Sequence, residues 1–417
     1  MSVQKHSVVI VGGGTAGISV AANLRRTQPE LDVAIVAPAQ FHYYQPAWTL
    51  VGGGTYKAEA TQRPFSSVLP AGVTHIAQAV AEVRADDNQL LLGNGDVIGY
   101  DQLVLAAGIQ INWAAIKGLP ETLGKNGVTS NYRYDLAPYT WELVQQFKGG
   151  TAIFTQPAGA VKCPGAPQKA LYLSADYWRQ QGVQVNSLQF RTGAPAVFGV
   201  PFYAKALNQI MASYEADARF TQTLVEVRGE EKIAVFETSK DGEKVREEVA
   251  FDLLHVVPPQ SAPDFIRTSA LANAEGWLDV NQQTLRHARY ANVFGLGDCT
   301  STPNSKTAAA IKSQVPVLVA NLLSARAQQE LAAQYDGYAA CPLTTSRNKV
   351  LLAEFTYGGV ISTTLPLDSR IPRRFYGWLK RSFLPWFYWN LLLKGRNLRE
   401  THQKREFAEQ LPKAVKA

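Results

Sequence analysis

The chain has 417 residues, of which 46% are hydrophobic and 18% charged, so its composition excludes a disordered chain and allows two or three folded domains. Its net charge of +7 does not indicate a nucleic-acid-binding protein, because the basic residues are spread along the chain except near the C-terminus. Three scattered cysteines exclude a secreted disulfide framework and a C-x-x-C zinc site, and we expect no metal. The first predicted strand begins so early that we expect no secretory signal or transit peptide before it.

A glycine-rich turn between a strand and a helix opens the predicted fold. Residues 8–11 are apolar and predict a buried strand, and a helical pattern follows from Ile18. The turn between them has the G-x-G-x-x-G spacing of a dinucleotide-binding loop. Gly12 allows the tight turn, Gly14 lets the backbone approach a pyrophosphate, and Gly17 lets the helix pack against the strand. The positive N-terminus of the helix then faces the phosphates.

Three further segments of the first predicted domain bear on a cofactor. A second strand, at residues 31–38, carries Ala37 where this fold usually has a carboxylate that holds the adenosine ribose, so a backbone group or water must replace it. An aromatic segment at residues 41–54 belongs either to a plain core or to a cofactor pocket. A later strand leads to Gly108, which allows a second close approach of the backbone to a cofactor.

The pattern restarts as a second α/β unit at residues 113–280. Its strand at residues 151–157 stands where a second nucleotide-binding turn is expected in a two-dinucleotide reductase. The glycines that follow, Gly159 and Gly165, lack the required spacing, and Cys163 occupies the turn instead. We therefore expect a domain that is shaped for a nicotinamide cofactor but binds none.

A segment near residue 300 identifies the dinucleotide. A strand is followed by Gly297, Asp298 and Cys299, and then by a helix that begins between residues 305 and 308. In a flavin enzyme Asp298 accepts hydrogen bonds from the ribityl chain, and the helix N-terminus with Lys306 stabilises negative charge on the reduced ring. The alternative is a turn aspartate beside a surface lysine. Together with the glycine turn, this segment predicts FAD.

Six segments of the sequence resemble the sulfide:quinone oxidoreductases, which are flavoproteins of the two-dinucleotide-domain disulfide reductase superfamily. The resemblance covers nearly the whole chain, points to the subgroup that includes the mitochondrial enzymes, and is carried by VGGGTAG, FHYYQPAWTLVGGG, VKCPGAPQK, LLHVVPPQSAPDF, FGLGDCTSTPNSKTAAA and YDGYAACPLTT. It implies an α/β fold of two Rossmann-like dinucleotide-binding domains with a C-terminal amphipathic membrane-binding segment. We accordingly divide the chain into an FAD-binding domain at residues 1–112 and 281–340, a second domain at 113–280 and a C-terminal region at 341–417.

The resemblance also implies site residues. Cys163 and Cys341 are the redox pair, and FAD is bound without a covalent link. No cysteine lies at residues 108–130, where three-cysteine members of the family have their third, so we expect Cys299 to be a buried bystander. The glycine motif and the resemblance together assign FAD binding to Gly12, Gly14, Thr15, Ala16, Gly17, Ala37, Gln45, Val80, Gly108, Lys162, Asp298 and Lys306.

The chemistry of sulfide oxidation needs an electrophilic sulfur and a second sulfur that leaves as a thiolate, and a disulfide supplies both. Cys163 precedes a predicted helix with Pro167 near its first turn. Lowering a thiol pKa from about 8.5 to about 7 takes roughly 2 kcal/mol, whereas a helix N-terminus supplies about 0.3 to 1 kcal/mol. We therefore expect the adjacent Lys162 ammonium to contribute. We assign Cys163 to the flavin side and Cys341 to attack by sulfide and formation of the persulfide.

The segment at residues 372–396 contains eight aromatic and six basic residues and no acidic one. Its longest mostly apolar run, at residues 383–393, covers 11 residues, about half of what a spanning helix needs. We expect an interfacial anchor, which makes the chain a peripheral, monotopic protein of a bacterial cytoplasmic membrane. If the segment is only an anchor, removal of residues 372–417 leaves the reaction with sulfide intact. The alternative is a segment that packs on its own domain or on a second subunit.

These features predict a flavoenzyme that oxidises sulfide, forms persulfide or polysulfide and reduces a membrane quinone. Its expected partners are sulfide, quinone, the lipid surface and a small sulfur acceptor such as a thiol, sulfite or cyanide, with a homo-oligomer left open and nucleic acid excluded. The alternative enzymes are a type II NADH:quinone oxidoreductase, which needs a second glycine fingerprint, and a flavocytochrome sulfide dehydrogenase, which has a secretory signal. A non-catalytic flavin-binding membrane protein with a sensing disulfide is the alternative from another class.

Overall fold

The computed structural model describes residues 4–240, 242–396, 401–413 and 415. Parts of the predicted C-terminal region, at residues 397–400, 414 and 416–417, therefore lie outside the described residues. The helices are α1 (Thr15–Thr27), α2 (Trp48–Gly52), α3 (Phe65–Val68), α4 (Leu119–Thr122), α5 (Leu136–Gln146), α6 (Ala166–Gln181), α7 (Pro201–Ala212), α8 (Asp264–Arg267), α9 (Ala308–Arg326), α10 (Arg374–Trp378) and α11 (Leu384–Asn390).

The strands form two main sheets and several short pairs. In chain order they are β1 (Gln4–Val11), β2 (Val33–Val36), β3 (Phe41–Tyr43), β4 (Gln62–Pro64), β5 (Val73–Ile76), β6 (Val80–Arg84), β7 (Gln89–Leu92), β8 (Val97–Leu105), β9 (Gln110–Ile111), β10 (Val128–Thr129), β11 (Thr151–Gln156), β12 (Ser187–Thr192), β13 (Asp217–Arg219), β14 (Thr223–Arg228), β15 (Ile233–Lys240), β16 (Glu243–Ala250), β17 (Leu253–His255), β18 (Gln260–Ser261), β19 (Val293–Gly295), β20 (Ala339–Thr344), β21 (Val350–Phe355), β22 (Ser362–Thr363) and β23 (Gln403–Lys404).

The first sheet has the strand order β5-β2-β1-β8-β7-β6, with β19 beside the second half of β8. Strands β5, β2, β1, β8 and β19 run parallel, whereas β7 and β6 turn back antiparallel. Val8, Val9 and Ile10 in β1 are fully buried, because apolar side chains cover both faces of this sheet. Helices α1 and α9 supply the cover on one face.

The second sheet is wholly parallel, in the order β10-β17-β11-β12-β13. Its core contains Val144 from α5, Trp178 from α6 and Leu207 from α7, all fully buried. Between β13 and β17, the chain forms a separate three-stranded antiparallel sheet, β14-β15-β16. The predicted α/β fold with two Rossmann-like units is confirmed.

The predicted boundaries differ from the structure in three places. β1 begins at Gln4, earlier than predicted, because polar residues such as Gln4 and Lys5 pair with β8 through the backbone and need no apolar side chain. α1 begins at Thr15, directly after the glycine turn, rather than at Ile18. β2 covers only Val33–Val36, so Ala37 lies just beyond the strand.

The pair β20 and β21 connects the two units. It is antiparallel, and β20 packs against α6 of the second unit and α9 of the first. Cys341 lies on β20 and belongs to the core of the second unit, although it is distant from that unit in the sequence. This placement brings Cys341 to the turn that precedes α6.

The C-terminal segment, residues 372–396, is amphipathic, as predicted. A π-helical turn, Leu379–Phe383, joins α10 to α11. Phe375, Trp378 and Trp386 are each about half exposed. The opposite side enters the core of the first unit beside α1, where the buried side chains are Phe387, Tyr388, Trp389, Leu392 and Leu393. The segment therefore packs on its own domain and also presents an exposed aromatic face, which we define as Phe375, Trp378 and Trp386.

One helix in the described part of the chain, α9, is long and apolar enough to cross a membrane by length and composition. Half of its most apolar window is buried inside the protein. Val315, Leu318 and Leu322 pack in the core of the first unit beside α1. Its apolar composition therefore serves the core of that unit.

Candidate active site

A cavity of about 290 Å³ lies where the two units and the C-terminal segment meet. The second unit contributes the turn before α6, and the C-terminal segment contributes Lys380, Leu384, Phe387 and Tyr388. Much of its wall is apolar, as is typical of a cofactor site. The predicted site residues on this wall are Thr15, Ala16, Gln45, Gly108, Lys162, Cys163, Asp298 and Lys306.

The glycine turn before α1 has the space that a dinucleotide pyrophosphate needs. Gly12 has a φ of +113°, and a Cβ there would lie 2.3 Å from the Ala106 carbonyl oxygen. A Cβ on Gly17 would lie 1.9 Å from the Gly12 carbonyl oxygen, so the helix packs closely on the turn. A Cβ on Gly14 or Gly108 would meet nothing within 4 Å. The crowded and the open positions together fit FAD, with its pyrophosphate at the N-terminus of α1.

Asp298 and Lys306 lie on the cavity wall near the start of α9. No described residue donates a hydrogen bond to the Asp298 carboxylate, which can therefore accept from the hydroxyls of a bound cofactor. Burial raises the pKa of Asp298, and the charges of Lys306 and Lys162 oppose that shift. The Lys306 ammonium donates to the Thr300 carbonyl oxygen at 2.8 Å and lies 4.3 Å from the centroid of the Trp277 ring. Its charge is thus held in one place beside the cavity.

Ala37 and Val80 do not lie on the cavity wall. Ala37 is buried just beyond β2, and its carbonyl oxygen contacts His75 Nε2 at 3.0 Å. Val80 is half-buried at the start of β6 and packs against the core on the other face of the first sheet. Since the end of β2 is where this fold holds the adenosine ribose, a contact at Ala37 belongs to the far end of the cofactor.

The two cysteines of the predicted redox pair lie side by side. Their Sγ atoms are 3.8 Å apart, although 178 positions separate them in the sequence. Cys163 is half-buried on the cavity wall, whereas Cys341 is fully buried. A Cβ on Gly165 would lie 3.0 Å from Cys341 Sγ, so the glycine keeps the space around this sulfur open. A small movement brings the two sulfur atoms to disulfide distance.

A lysine that sequence reasoning missed contacts this pair. Lys169 is buried on α6 and places Nζ 3.0 Å from Cys163 Sγ. Lys162, the cation predicted for this role, instead donates to Gln45 Oε1 at 2.7 Å, and burial lowers its pKa to about 8. Lys162 also interacts with Cys163 through its charge, so its predicted contribution stays a prediction, whereas the hydrogen bond to the sulfur comes from Lys169. The helix after the turn brings Lys169 back to the thiol.

A second buried lysine comes from the C-terminal segment. Lys380 Nζ donates to the Pro342 carbonyl oxygen at 2.7 Å, next to Cys341 in the chain. Burial and the nearby charge of Lys169 hold the pKa of Lys380 well below its ordinary value. Burial acts in the same direction on Lys169, but the charges of Cys163 and Cys341 raise the pKa of Lys169 above the ordinary value. Lys380 therefore gives up its proton more readily than Lys169 does. No sequence signal marks Lys380, since its segment reads as a lipid-binding one.

The two thiols hold their protons unequally. The pKa of Cys163 lies well below the ordinary value because Cys341 donates a hydrogen bond to its sulfur and Lys169 and Lys380 add positive charge, although burial opposes this shift. The pKa of Cys341 lies well above the ordinary value because its proton is engaged by Cys163 and because it is buried. In the reduced pair Cys163 therefore ionises before Cys341.

The third cysteine is fully buried away from this pair. Cys299 Sγ lies 3.6 Å from the Leu105 carbonyl oxygen, and burial raises the pKa of Cys299 to about 11. It is therefore a neutral thiol at physiological pH and a poor nucleophile. Within the described residues, no cluster of three or more His, Cys, Asp or Glu side chains could hold a metal ion.

Comparison with known proteins relates this site to a family. The family described as "Pyridine nucleotide-disulphide oxidoreductase" matches residues 6–313. The mitochondrial sulfide:quinone oxidoreductase of Dictyostelium discoideum is 42% identical, over 93% of this chain and 86% of that protein. The mitochondrial enzyme of Mus musculus is 41% identical, over 94% of this chain and 87% of that protein. The chain belongs to the sulfide:quinone oxidoreductase family.

A solved structure shows the same fold. The X-ray structure of the sulfide:quinone oxidoreductase from Aquifex aeolicus has a TM-score of 0.76 and 20% identity, and the match covers 94% of this chain and 92% of that one. The predicted activity is confirmed: the chain oxidises sulfide with a quinone as acceptor, and membership implies the flavin cofactor FAD. The expected bacterial cytoplasmic membrane is not supported, because both of these relatives are named as mitochondrial.

Proposed function

We propose that sulfide enters the reaction at a Cys163–Cys341 disulfide and that non-covalently bound FAD in the cavity carries the electrons to the quinone. The observation that carries this proposal is the pair of sulfur atoms 3.8 Å apart, with one of them on the cavity wall. Two sulfur atoms at this distance can supply both the electrophile and the leaving thiolate that the reaction needs.

The order of events follows from the unequal pKa values. HS⁻ attacks Cys341 Sγ, a new sulfur–sulfur bond forms there, the disulfide bond breaks, and Cys163 leaves as a thiolate. The thiol with the lower pKa is the better leaving group, and that thiol is Cys163. The products are a persulfide on Cys341 and a thiolate that faces the cavity.

The two buried lysines assist this step in different ways. Lys169, which is charged, stabilises the Cys163 thiolate by a hydrogen bond at 3.0 Å. Lys380, whose pKa lies well below the ordinary value because of burial and the charge of Lys169, is the better suited of the two to take the proton of an incoming H₂S. Sulfide then reacts as HS⁻ beside Cys341.

A small acceptor completes the turnover. A thiol, sulfite or cyanide attacks the outer sulfur of the persulfide, carries that sulfur away, and leaves Cys341 reduced. The Cys163 thiolate faces the cavity, where bound FAD would supply the two-electron acceptor chemistry that links the reduced cysteine pair to the quinone. The disulfide forms again, and the remaining thiol proton is released.

The cavity wall and the glycine turn that precedes Thr15 on that wall supply the contacts for FAD. We assign the pyrophosphate to the glycine turn, the ribityl chain to Asp298, and the ring to the pair formed by Gln45 and Lys162. Among the described residues on this wall, Cys163 is the only cysteine. Since the reaction uses that thiol, none remains for a covalent flavin link, which supports non-covalent binding.

We place the protein on a mitochondrial membrane as a monotopic protein. The exposed aromatic face of Phe375, Trp378 and Trp386 suits the lipid headgroup region, where aromatic rings partition favourably. Leu384 and Phe387 lie on the inner side of the same segment and line the cavity. A quinone from the lipid thus meets an apolar route along α11, which supports entry between this segment and the main body.

We also propose the domain division at residues 1–112 with 281–340, 113–280 and 341–417. It is supported by the two parallel sheets, of which the first recruits β19 from beyond the second unit. We propose that a small acceptor carries the transferred sulfur away. The formation of a homo-oligomer stays a prediction.

Anaerobic titration of the flavin spectrum tests the proposal. With sulfite present as the small acceptor, sulfide should bleach the flavin of the wild-type protein, whereas NADH should not, because Cys163 occupies the turn after β11 in place of a glycine fingerprint. Cys163→Ser and Cys341→Ser should each slow bleaching by about a thousandfold or more, since each cysteine performs a step that the other cannot.

Cys299→Ser is the matched control, and it should bleach at close to the wild-type rate because this thiol lies away from the cavity. Wild-type bleaching in the Cys163→Ser protein would overturn the cysteine route. Rapid bleaching by NADH would favour the type II NADH:quinone oxidoreductase instead.

A further inference from the structure

A buried chain of hydrogen bonds connects the glycine turn to the C-terminal segment. His42 Nδ1 lies 2.9 Å from the Gly13 carbonyl oxygen, and His42 Nε2 lies 2.6 Å from the Tyr388 hydroxyl. The same hydroxyl lies 2.8 Å from Thr15 Oγ1. His42 and Tyr388 are each only 2% exposed, so the bond between them is shielded from water. Three distant parts of the sequence therefore meet at one point.

The direction of every bond in this chain is determined. A carbonyl oxygen can only accept, so His42 Nδ1 carries the proton and donates to Gly13. The neutral ring then has an unprotonated Nε2, which accepts from the Tyr388 hydroxyl. The Tyr388 hydroxyl donates its one hydrogen to His42, and its oxygen therefore accepts a hydrogen bond from the Thr15 hydroxyl. Loss of the Tyr388 hydroxyl removes the partner of the buried His42 Nε2 and of the Thr15 hydroxyl on the cavity wall.

Both ends of this chain belong to the dinucleotide loop. Gly13 lies inside the glycine turn, and Thr15 is the first residue of α1, whose N-terminus faces the pyrophosphate in the proposed site. Tyr388 lies on α11, two residues beyond the exposed Trp386. The C-terminal segment therefore holds the cofactor loop with one side while its other side faces outward.

We propose that Tyr388 is a positioning residue for FAD: it fixes Thr15 and, through His42, Gly13, so that docking of the C-terminal segment and retention of the cofactor are one coupled equilibrium. This inference rests on the proposed function, in which FAD occupies the cavity. Coupling of this kind is reciprocal, so bound FAD also holds the segment against the first unit.

Release of FAD from the holoenzyme tests the proposal. Tyr388→Phe keeps the ring and removes only the hydroxyl, and it should release FAD about tenfold faster, which corresponds to about 1.4 kcal/mol. The readout is the fluorescence of released FAD after dilution, with no substrate present. Tyr376→Phe is the matched control because it removes another buried tyrosine hydroxyl from the same segment, away from the cavity, and it should leave the rate unchanged.

A double-mutant cycle separates positioning from a general loss of packing. Thr15→Val should also release FAD faster, and the double variant should be no faster than either single one, because both changes break the same chain. Thr15→Ser keeps the hydroxyl and should restore the wild-type rate. Equal release from Tyr388→Phe and Tyr376→Phe, or additive effects in the double variant, would overturn the inference.

Wild-type protein that carries no FAD at all would be a different failure. That result would contradict the proposed function. An FAD-loaded Tyr388→Phe protein that releases FAD at the wild-type rate would contradict only the proposed coupling. The thermal unfolding of each variant gives the remaining readout: a lowered midpoint with unchanged FAD release would mean that the hydroxyl stabilises the fold without positioning the cofactor, which contradicts the proposal.

Discussion

The charge state of Cys163 depends on a lysine six positions further along the chain. A helix N-terminus is too weak to lower a thiol pKa enough, so a cation is expected, and Lys162 is the nearest one in the sequence. The turn at Cys163 and the return of α6 decide which ammonium points at the sulfur. A tertiary contact of this kind leaves no local pattern to read.

Lys169→Met should raise the pKa of Cys163, because it removes the charge and the donor that stabilise the thiolate. A smaller fraction of Cys163 is then thiolate, and the decrease is greatest at pH values below the raised pKa. Turnover with sulfide should drop about tenfold to a hundredfold, since a buried hydrogen bond to a charged group contributes about 1.5 to 3 kcal/mol. The pH dependence of alkylation of the reduced protein measures this shift. Lys162→Met should shift the profile less, and equal shifts would contradict the assignment.

His42 makes the stability of the fold depend on pH. Burial lowers the pKa of His42 from 6.5 to about 4, so between these values the unfolded chain binds a proton that the folded chain does not. Its contribution to stability is complete above pH 6.5 and is lost as the pH falls toward 4. The loss amounts to about 2 kcal/mol between pH 7 and pH 5.

Denaturant unfolding of the wild-type protein and of His42→Gln at both pH values measures this contribution. The variant should lose about 2 kcal/mol less than the wild type over this interval, while the equally buried His255 contributes to both. The same pH slope in the two proteins would show that His42 is not held neutral in the fold.

Among the elements, the glycine turn was the most predictable from sequence and the C-terminal segment the least. The turn is local: its spacing alone fixes which positions are crowded and which are open. The sequence of residues 372–396 allows two interpretations, a membrane anchor or an internal packing element. One side of the segment packs in the core, and the other side exposes aromatic residues as an anchor would. Composition could not separate them, because Phe387 and Trp386 are equally aromatic and only the fold decides which is covered.

The exposed aromatic face predicts a separable membrane function. A variant with Phe375→Ser, Trp378→Ser and Trp386→Ser should bind anionic vesicles about a hundredfold more weakly, because partial burial of three aromatic rings contributes about 3 kcal/mol. It should retain FAD, since all three side chains point away from the core. Vesicle sedimentation provides the measurement.

The matched control changes three exposed apolar residues elsewhere, Val245, Val360 and Leu367, to Ser. This control should sediment like the wild type. Sedimentation of the aromatic-face variant at the wild-type level would show that another surface meets the lipid.

At the scale of the whole molecule, the C-terminal segment forms part of the cavity wall in addition to presenting the exposed aromatic face. It contributes Lys380, Leu384, Phe387 and Tyr388 to the cavity wall. Sequence reasoning anticipated that a protein without residues 372–417 would still react with sulfide. The structure leads us to expect the opposite, since the truncation opens the cavity and removes the buried side of the segment from the core.

Truncation at residue 371 should therefore yield protein with little or no FAD and lowered thermal stability. The ratio of FAD to protein after purification measures the first effect, and the aromatic-face variant is the comparison, because it alters the same segment but should stay loaded. A truncated protein that holds one FAD per chain and is bleached by sulfide at the wild-type rate would show that the segment is only an anchor.

The fold and activity were predictable because several motifs along the chain agreed, whereas the arrangement of Cys341 with Lys169 and Lys380 required the packing of β20 and the C-terminal segment on α6. The central claim, that Cys341 receives the sulfur and Cys163 leaves as the thiolate, can be tested by one measurement. Oxidised protein is mixed anaerobically with one equivalent of sulfide, quenched with an alkylating agent, and its cysteine peptides are weighed by mass spectrometry. We predict one additional sulfur atom on the peptide that contains Cys341 and alkylation of Cys163 without it. Additional sulfur on Cys163 with Cys341 unmodified, or on Cys299, would contradict the account.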